Sequence, residues 1–448
     1  MLKKIALIAS VALVGCNSGS SSASSTNPAL NISSLPIVAP ETVGMDSAKL
    51  AAVDNLINRD IQNGFPGAAL VVVKDGKIVK ETVYGYKLKY DESGSLLSQY
   101  VPLESDTLFD LASNSKMYAT NYAIMHLVYQ GKIDLNAPLK QYLPEYTGCD
   151  SSGQCRDDRK VIDFLRHDAG YTPDPQFFNP NTIGWDLYSQ NRELTESLLT
   201  TKLPFARPLG GAPVYSDADF MLLGMLIERV TGEREDVYVA NTFYKPLGLT
   251  HTTYQPLEHG FDISDCAATE IDGNTRGFTV SFPNIRTTPI QCQVHDEKAY
   301  YSMGGVSGHA GLFSNLHDMA ILTQLMLHNG NYDGIQFWNA AIESEFTAAN
   351  PYDPSFGLGW RRAAEPNNRS QSWFSPYASN QAVGHTGWVG TATVIDPRYN
   401  LAIILLTNKR HSPFVNGNFV DANQSTGNYT KVISSVYQAI DGIESADK

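Results

Sequence analysis

At residues 110–116 the chain runs Asp110-Leu111-Ala112-Ser113-Asn114-Ser115-Lys116, which sets a serine and a lysine three residues apart. An apolar-periodic run follows, Met117, Thr120, Ile124, Leu127 and Val128, and stops at Gly131. That spacing predicts a helix beginning near Ser113, with residues i and i+3 on one face. The hydroxyl and the amine then stand side by side at the positive end of the helix. A lysine there can take the serine's proton, and the helix terminus favours developing negative charge. The pattern alone carries little weight. Ordinary composition yields on the order of two Ser-x-x-Lys matches in a chain this long. A second one, Ser445 to Lys448, sits in a polar C-terminal tail. The first match needs partners.

The start of the chain reads as a targeting segment. Lys3 and Lys4 precede the apolar run Ile5–Val14, which is too short for a membrane-spanning helix. It ends in Leu13-Val14-Gly15-Cys16, which resembles the lipobox of bacterial lipoproteins. The expectation is a signal over residues 1–15, lipidation at Cys16, and a Ser-rich tether over 16–39. The alternative is a plain secretory signal with an incidental cysteine. Asn17 after the cysteine resembles outer-membrane retention, so the expected place is the periplasmic face of the envelope, on a lipid anchor. Formal net charge is −13 and there is no basic patch, which argues against nucleic acid as a partner. Four further cysteines, an even number, suit an oxidising compartment. Cys149 and Cys155 flank a short polar loop and form one possible bridge. Cys266 with Cys292 is the natural second pair, and four free thiols are the alternative. No Cys/His spacing resembles a zinc site.

Residues 40–448 read as one folded unit, large enough for two lobes that share an interface. Asp46–Ile61 has amphipathic helical spacing. Ala68–Val73 and Lys77–Tyr84 form a hairpin across Asp75-Gly76. Three more strands are expected around Ala382–His385, Gly390–Ile395 and Leu401–Leu406, with a turn at Asp396-Pro397, and Val432–Ile440 closes the chain as a helix. Strands at both ends with helices between predict an α/β (α+β) fold. In it, an antiparallel sheet built by the two chain ends is flanked by helices, and a mainly helical lobe is inserted.

Two more motifs fall into this layout. Tyr215-Ser216-Asp217 precedes a second apolar-periodic helix (Phe220, Leu223, Ile227, Val230, stopped at Gly232), and His385-Thr386-Gly387 lies on the first C-terminal strand. Ser-x-x-Lys, Tyr-x-Asn and Lys/His-Thr-Gly, in that order, mark the serine β-lactamase and penicillin-binding family. From about Pro40 onward the chain resembles that family. Asp110–Lys116, Val294-His295-Asp296 and Gly304–Ser314 are most similar to its penicillin-binding protein 4B-like D-alanyl-D-alanine carboxypeptidases.

The chemistry follows from the residue types. Ser113 is the nucleophile, with Lys116 and Tyr215 as candidate bases. Their free pKa values, about 10.4 and 10, must fall through proximity and burial. Backbone N–H groups of Ser113 and Trp388 would make the oxyanion hole. Thr386 and His385 would receive a substrate carboxylate, and the bare Gly387 would let the strand edge pair with an extended peptide. Asp217 departs from the usual asparagine: it either holds Lys116 protonated or caps the following helix. That puts Lys116 in doubt as base and adds weight to Tyr215. His295-Asp296-Glu297 read as polar loop residues rather than metal ligands, and His309 as a structural histidine. Gly305–His309 falls one glycine short of a nucleophile elbow, which argues against Ser307.

The resemblance implies a lipid-tethered serine acyl-enzyme hydrolase that needs no cofactor. It would act on the D-Ala-D-Ala end of peptidoglycan stem peptides and be acylated by β-lactams such as penicillin. A small-ester hydrolase or β-lactamase on the same fold is the alternative, and a non-catalytic penicillin-binding scaffold the second.

Overall fold

A computed structural model describes residues 34–363, 373–420 and 422–443. The leader, Cys16, the tether up to residue 33 and the Ser445–Lys448 match lie outside them.

The expected hairpin forms between β1 (Gly67–Lys74) and β2 (Lys77–Tyr90). Asp75 and Gly76 both have positive φ, 53° and 69°, as a tight two-residue turn between right-twisted strands requires. Strand β3 (Leu96–Pro102) extends this edge. The rest of the sheet comes from the far end of the chain: β4 (Arg361–Arg362), β5 (Val383–Thr386), β6 (Ala392–Asp396) and β7 (Leu401–Thr407). The order is β3-β2-β1-β7-β6-β5-β4, and every neighbouring pair is antiparallel. The two chain ends meet at β1 and β7, in register from Ala68 opposite Thr407 to Lys74 opposite Leu401. Both strands are buried along their whole length, which explains why they read as unbroken apolar runs.

One face is covered by α1 (Ser47–Gln62) and α2 (Thr430–Gln438), which pack on each other. Asp46 caps α1 by accepting from the Lys49 N–H, and Leu50, Val53 and Ile57 form its buried stripe. The opposite face carries α3 (Leu316–Leu327), buried nearly all round, and beyond it the helices and loops inserted between β3 and β4. The folded region begins ahead of residue 40. Pro36 and Val38 hydrogen-bond to Ile78 of β2, so this end of the expected tether belongs to the domain. No helix among the described residues is long and apolar enough to cross a membrane.

Both expected bridges are present: Cys149 is bonded to Cys155, and Cys266 to Cys292.

Candidate active site

The turn that presents Ser113 is pinned from several sides. Ala112 sits at φ 46°, a left-handed conformation that costs an alanine energy. Asp110 holds it there, accepting from the Ala112 N–H at 2.7 Å through one oxygen and from the His295 N–H at 2.7 Å through the other. The Leu111 N–H donates to the Leu312 carbonyl at 2.9 Å. Asn114 reaches across to β6 and its approach: its side-chain N–H donates to Thr391 Oγ1 at 2.9 Å, and its oxygen accepts from Thr393 Oγ1 at 3.1 Å. The helix then runs from Ala112 to Tyr129, as its spacing predicted, but widens to a π-helical turn over Lys116–Asn121. Such turns recur at functional sites.

Lys116 points back at the serine. Its Nζ lies 3.1 Å from Ser113 Oγ, 3.0 Å from the His309 carbonyl and 2.8 Å from Asp217 Oδ1. The side chain is fully buried. Burial opposes the charge, but the Asp217 carboxylate outweighs it and raises the amine above its ordinary pKa. Asp217 is the first residue of α4 (Asp217–Thr231), and the capping position falls to Ser216. Of the two expectations for Asp217, the structure therefore shows the ion pair. Burial would raise its carboxyl; the Lys116 and Lys298 ammoniums overcome that and hold it well below the usual carboxylate range.

Tyr215 faces the amine with its ring, whose centroid lies 4.8 Å from Lys116 Nζ. Its hydroxyl is buried, and a hydrogen bond to it joins Asp217 in raising the Lys116 amine. Behind the ring stand His167, with centroids 4.7 Å apart, and Arg361, whose Cζ is 5.0 Å from the tyrosine centroid. Arg361 also stacks on Phe356 at 3.8 Å, and burial lowers its pKa to about 10.

His385 needs correction. It is 3 % exposed, packs toward Tyr215 and does not line the cleft; burial and the nearby Arg361 hold it neutral. Buried and neutral, His385 offers a substrate carboxylate no positive charge. Thr386 beside it is half-buried. Gly387 also has a different reason. A Cβ there would lie 2.2 Å from Thr391 Oγ1 and 2.5 Å from the Leu111 carbonyl oxygen. The glycine lets the end of β5 close onto the nucleophile turn. Trp388, 52 % exposed, lines the cleft beside Ser113.

The cleft measures about 710 Å³, and its wall includes Ser113, Tyr215, Asp217, Asp296, Lys298 and Trp388. Lys298 escaped the sequence reading. Its Nζ is 2.6 Å from Asp174, 3.2 Å from Asp217 and 3.2 Å from Asp296. The signal was its place directly after His295-Asp296-Glu297, in a short turn that also buries Ala299, Tyr301 and Ser302. Asp217, Asp296 and His309 bring ligand atoms within 4.8 Å of one another, and the Lys298 ammonium already supplies positive charge there. His295 also lines the cleft and pairs through Nε2 with Glu270 at 2.5 Å. His309 is held through both ring nitrogens, by Ser307 Oγ and Asp296 Oδ1, each at 2.8 Å. Ser307 is buried and outside the cleft lining.

A serine hydroxyl within hydrogen-bond reach of a buried amine, at the mouth of such a cleft, is the geometry of acyl transfer. The family model described as Beta-lactamase matches residues 51–424. The chain belongs to the beta-lactamase family. Within it, the chain is 48% identical over 414 residues to the "N-acetylmuramyl-L-alanine amidase" of Bacillus subtilis (strain 168), covering 90% of this chain and 92% of that one. It is 44% identical over 412 residues to the "Putative D-alanyl-D-alanine carboxypeptidase" of Salmonella enteritidis PT4, covering 91% and 94%. The fold is shared with a penicillin-binding protein homologue from Caulobacter crescentus (TM-score 0.61, 22% identity, 87% of this chain and 97% of that one). It is shared too with EstCE1, a hydrolase with promiscuous acyltransferase activity (TM-score 0.63, 20% identity, 87% and 99%). This beta-lactamase-family protein is thus a serine hydrolase of the penicillin-binding fold.

Proposed function

We propose that the protein is a serine amidase of peptidoglycan fragments, opening the amide between the lactyl group of N-acetylmuramic acid and the L-alanine of the stem peptide. One observation carries this choice over a carboxypeptidase. Among the described residues, the cations lining the cleft are Arg276 and Lys298, and both are already paired: Arg276 with Glu297 at 2.6 Å, and Lys298 with three aspartates. His385 is buried and neutral. The terminal D-alanine that leaves a D-Ala-D-Ala substrate carries its carboxylate next to the bond to be cut and calls for a free cation; the lactyl–alanine amide is internal and does not. The amidase relative from Bacillus subtilis supports the same reading.

The reaction runs through Ser113. Its Oγ attacks the amide carbon while the Oγ proton passes to Lys116 in the fraction of molecules whose amine is neutral, the carbonyl electrons moving to an oxyanion held by the Ser113 and Trp388 N–H groups. Collapse expels the amine of L-alanine, which takes the proton from Lys116. Water then attacks the lactyl ester, Lys116 accepting its proton and returning it to Ser113 Oγ as the ester bond breaks and the lactic acid group is released. Tyr215 caps the amine and excludes water from it.

D-Ala-D-Ala carboxypeptidase is the second reading, favoured by the close docking of the His385-Thr386-Gly387 strand onto the nucleophile turn and by the name of the Salmonella relatives. A muramyl pentapeptide tells the two apart by product mass. Release of a peptide with a free L-alanine amine is expected; release of D-alanine with the muramyl amide intact would overturn it. A stable penicillin adduct on Ser113 would show that the cleft also accepts a β-lactam. The leader over 1–15, lipidated Cys16 and an envelope location complete the proposal. Cys16→Ser should move the protein from the membrane fraction to the soluble periplasm, and unchanged partitioning would refute the anchor.

A further inference from the structure

The ion pair at the heart of the site creates a difficulty. Asp217 at 2.8 Å favours a charged Lys116, and an ammonium cannot accept the Ser113 proton. Nevertheless the fold brings a second ammonium to the same carboxylate. Lys298 opens the turn Lys298–Ser302, is 5 % exposed, and sits 3.2 Å from Asp217 Oδ2 while Lys116 holds Oδ1.

We propose that Lys298 is a positioning residue for acyl transfer: by sharing Asp217 and adding a second positive charge to the same buried space, it loosens the proton on Lys116 and allows the neutral amine to serve as base. The proposal rests on Ser113 as nucleophile and Lys116 as its proton acceptor.

The surroundings support a fixed charge at 298. Burial opposes its ammonium, but Asp296, Asp217 and Asp174 together raise it well above the ordinary lysine value. Its three carboxylate partners thus favour a charged Lys298. Lys116 is faced by Asp217 and Tyr215 at the start of α4, and by Ser113 and the His309 carbonyl. The charges of Lys298 and Asp296, and the His309 ring, lie just beyond Asp217. His167 and His385 flank the Tyr215 ring and are held neutral, chiefly by burial. Arg361 lies behind that ring. Of these, Lys298 is the cation in direct contact with the carboxylate that binds Lys116. Asp296 and Asp174 in turn partly neutralise Lys298, so they set how much of its charge Lys116 experiences.

The test is the rate at which a neutral fluorophosphonate labels Ser113, followed by intact mass from pH 5 to 10. For Lys298→Gln the rising limb should move up by about one pH unit, because the full charge of Asp217 then falls on Lys116. For Lys298→Arg it should return to the wild-type position. Asp174→Asn, on the half-exposed rim, should move the limb down, since Lys298 is then less neutralised. A structural role alone would slow labelling without opposite displacements. An unmoved limb in Lys298→Gln, or equal displacement by Gln and Arg, overturns the proposal. If Lys298→Gln does not fold, Asp174→Asn decides alone, and an unmoved or raised limb overturns it. Labelling that persists in Ser113→Ala would instead remove the nucleophile, a failure of the underlying reading and distinct from these.

Discussion

Replacing Asp217 by asparagine would remove the anion that keeps Lys116 charged while nearly preserving shape. The Nζ to Oδ1 distance of 2.8 Å, at an effective dielectric constant of about 20, corresponds to roughly 3–6 kcal/mol once the charge is spread over both carboxylate oxygens. That is about two to four pH units on Lys116. Burial, no longer opposed, pushes the same way. The neutral fraction of Lys116 at pH 7 then rises by two orders of magnitude or more. Part of this gain is lost because the amine becomes a weaker base and is less firmly placed. Labelling of Ser113 by a neutral fluorophosphonate at pH 7 should therefore accelerate by about ten- to a hundred-fold, with the rising limb shifted down. Stability carries a matching signature. A lysine whose folded pKa lies below its unfolded value destabilises the fold at low pH, and the deficit fades as pH rises toward the unfolded pKa of about 10.4. The melting deficit of Asp217→Asn should thus be larger at pH 7 than at pH 10. An unchanged rate and limb would refute the reasoning and make Tyr215 the base.

Three further outcomes are expected. Gly387→Ala places a Cβ 2.5 Å from the Leu111 carbonyl oxygen, so the nucleophile turn must shift; kcat/KM should fall about a hundred-fold and stability by about 1–3 kcal/mol in denaturant titrations. Cys292→Ser opens a bridge between residues 26 apart in sequence, freeing the segment that carries Arg276, Thr279 and Val280 into the cleft; stability should drop by about 3 kcal/mol and KM should rise. Glu235 is fully buried, and burial raises its carboxyl to about 8 from 4.5. The folded state then holds a proton the unfolded chain has lost, so stability declines from about pH 4.5 to 8, and Glu235→Gln should recover up to about 4 kcal/mol at pH 8 with little change at pH 4.

The parts of the fold legible in the sequence were those with local grammar. Asp75-Gly76 could only be a tight turn, the spacing after Asp46 a helix, and the apolar run at 401–406 a strand. Spacing likewise joined Ser113 to Lys116 before any distance was known. What eluded it depended on burial and on contacts between distant segments. His385 looked like a receptor for a carboxylate, because sequence order cannot say which side of a strand is dry. The role of Gly387 was sought in a substrate, whereas the Leu111 carbonyl explains it. Lys298 is separated from Asp217 by 81 positions, and nothing local marks it as the second claimant on that carboxylate.

The lacing of Asn114 to Thr391 and Thr393 spans 277 and 279 positions of sequence. Its consequence is temporal. A nascent chain displays Ser113 and Lys116 early, but the threonines that fix their turn, and Trp388 with its N–H, arrive only with the last quarter of synthesis. Long-range closure of this kind is slow. The hydrolase therefore stays inert until its final strands dock, and any chain truncated before them, however well its helices form, is born without activity.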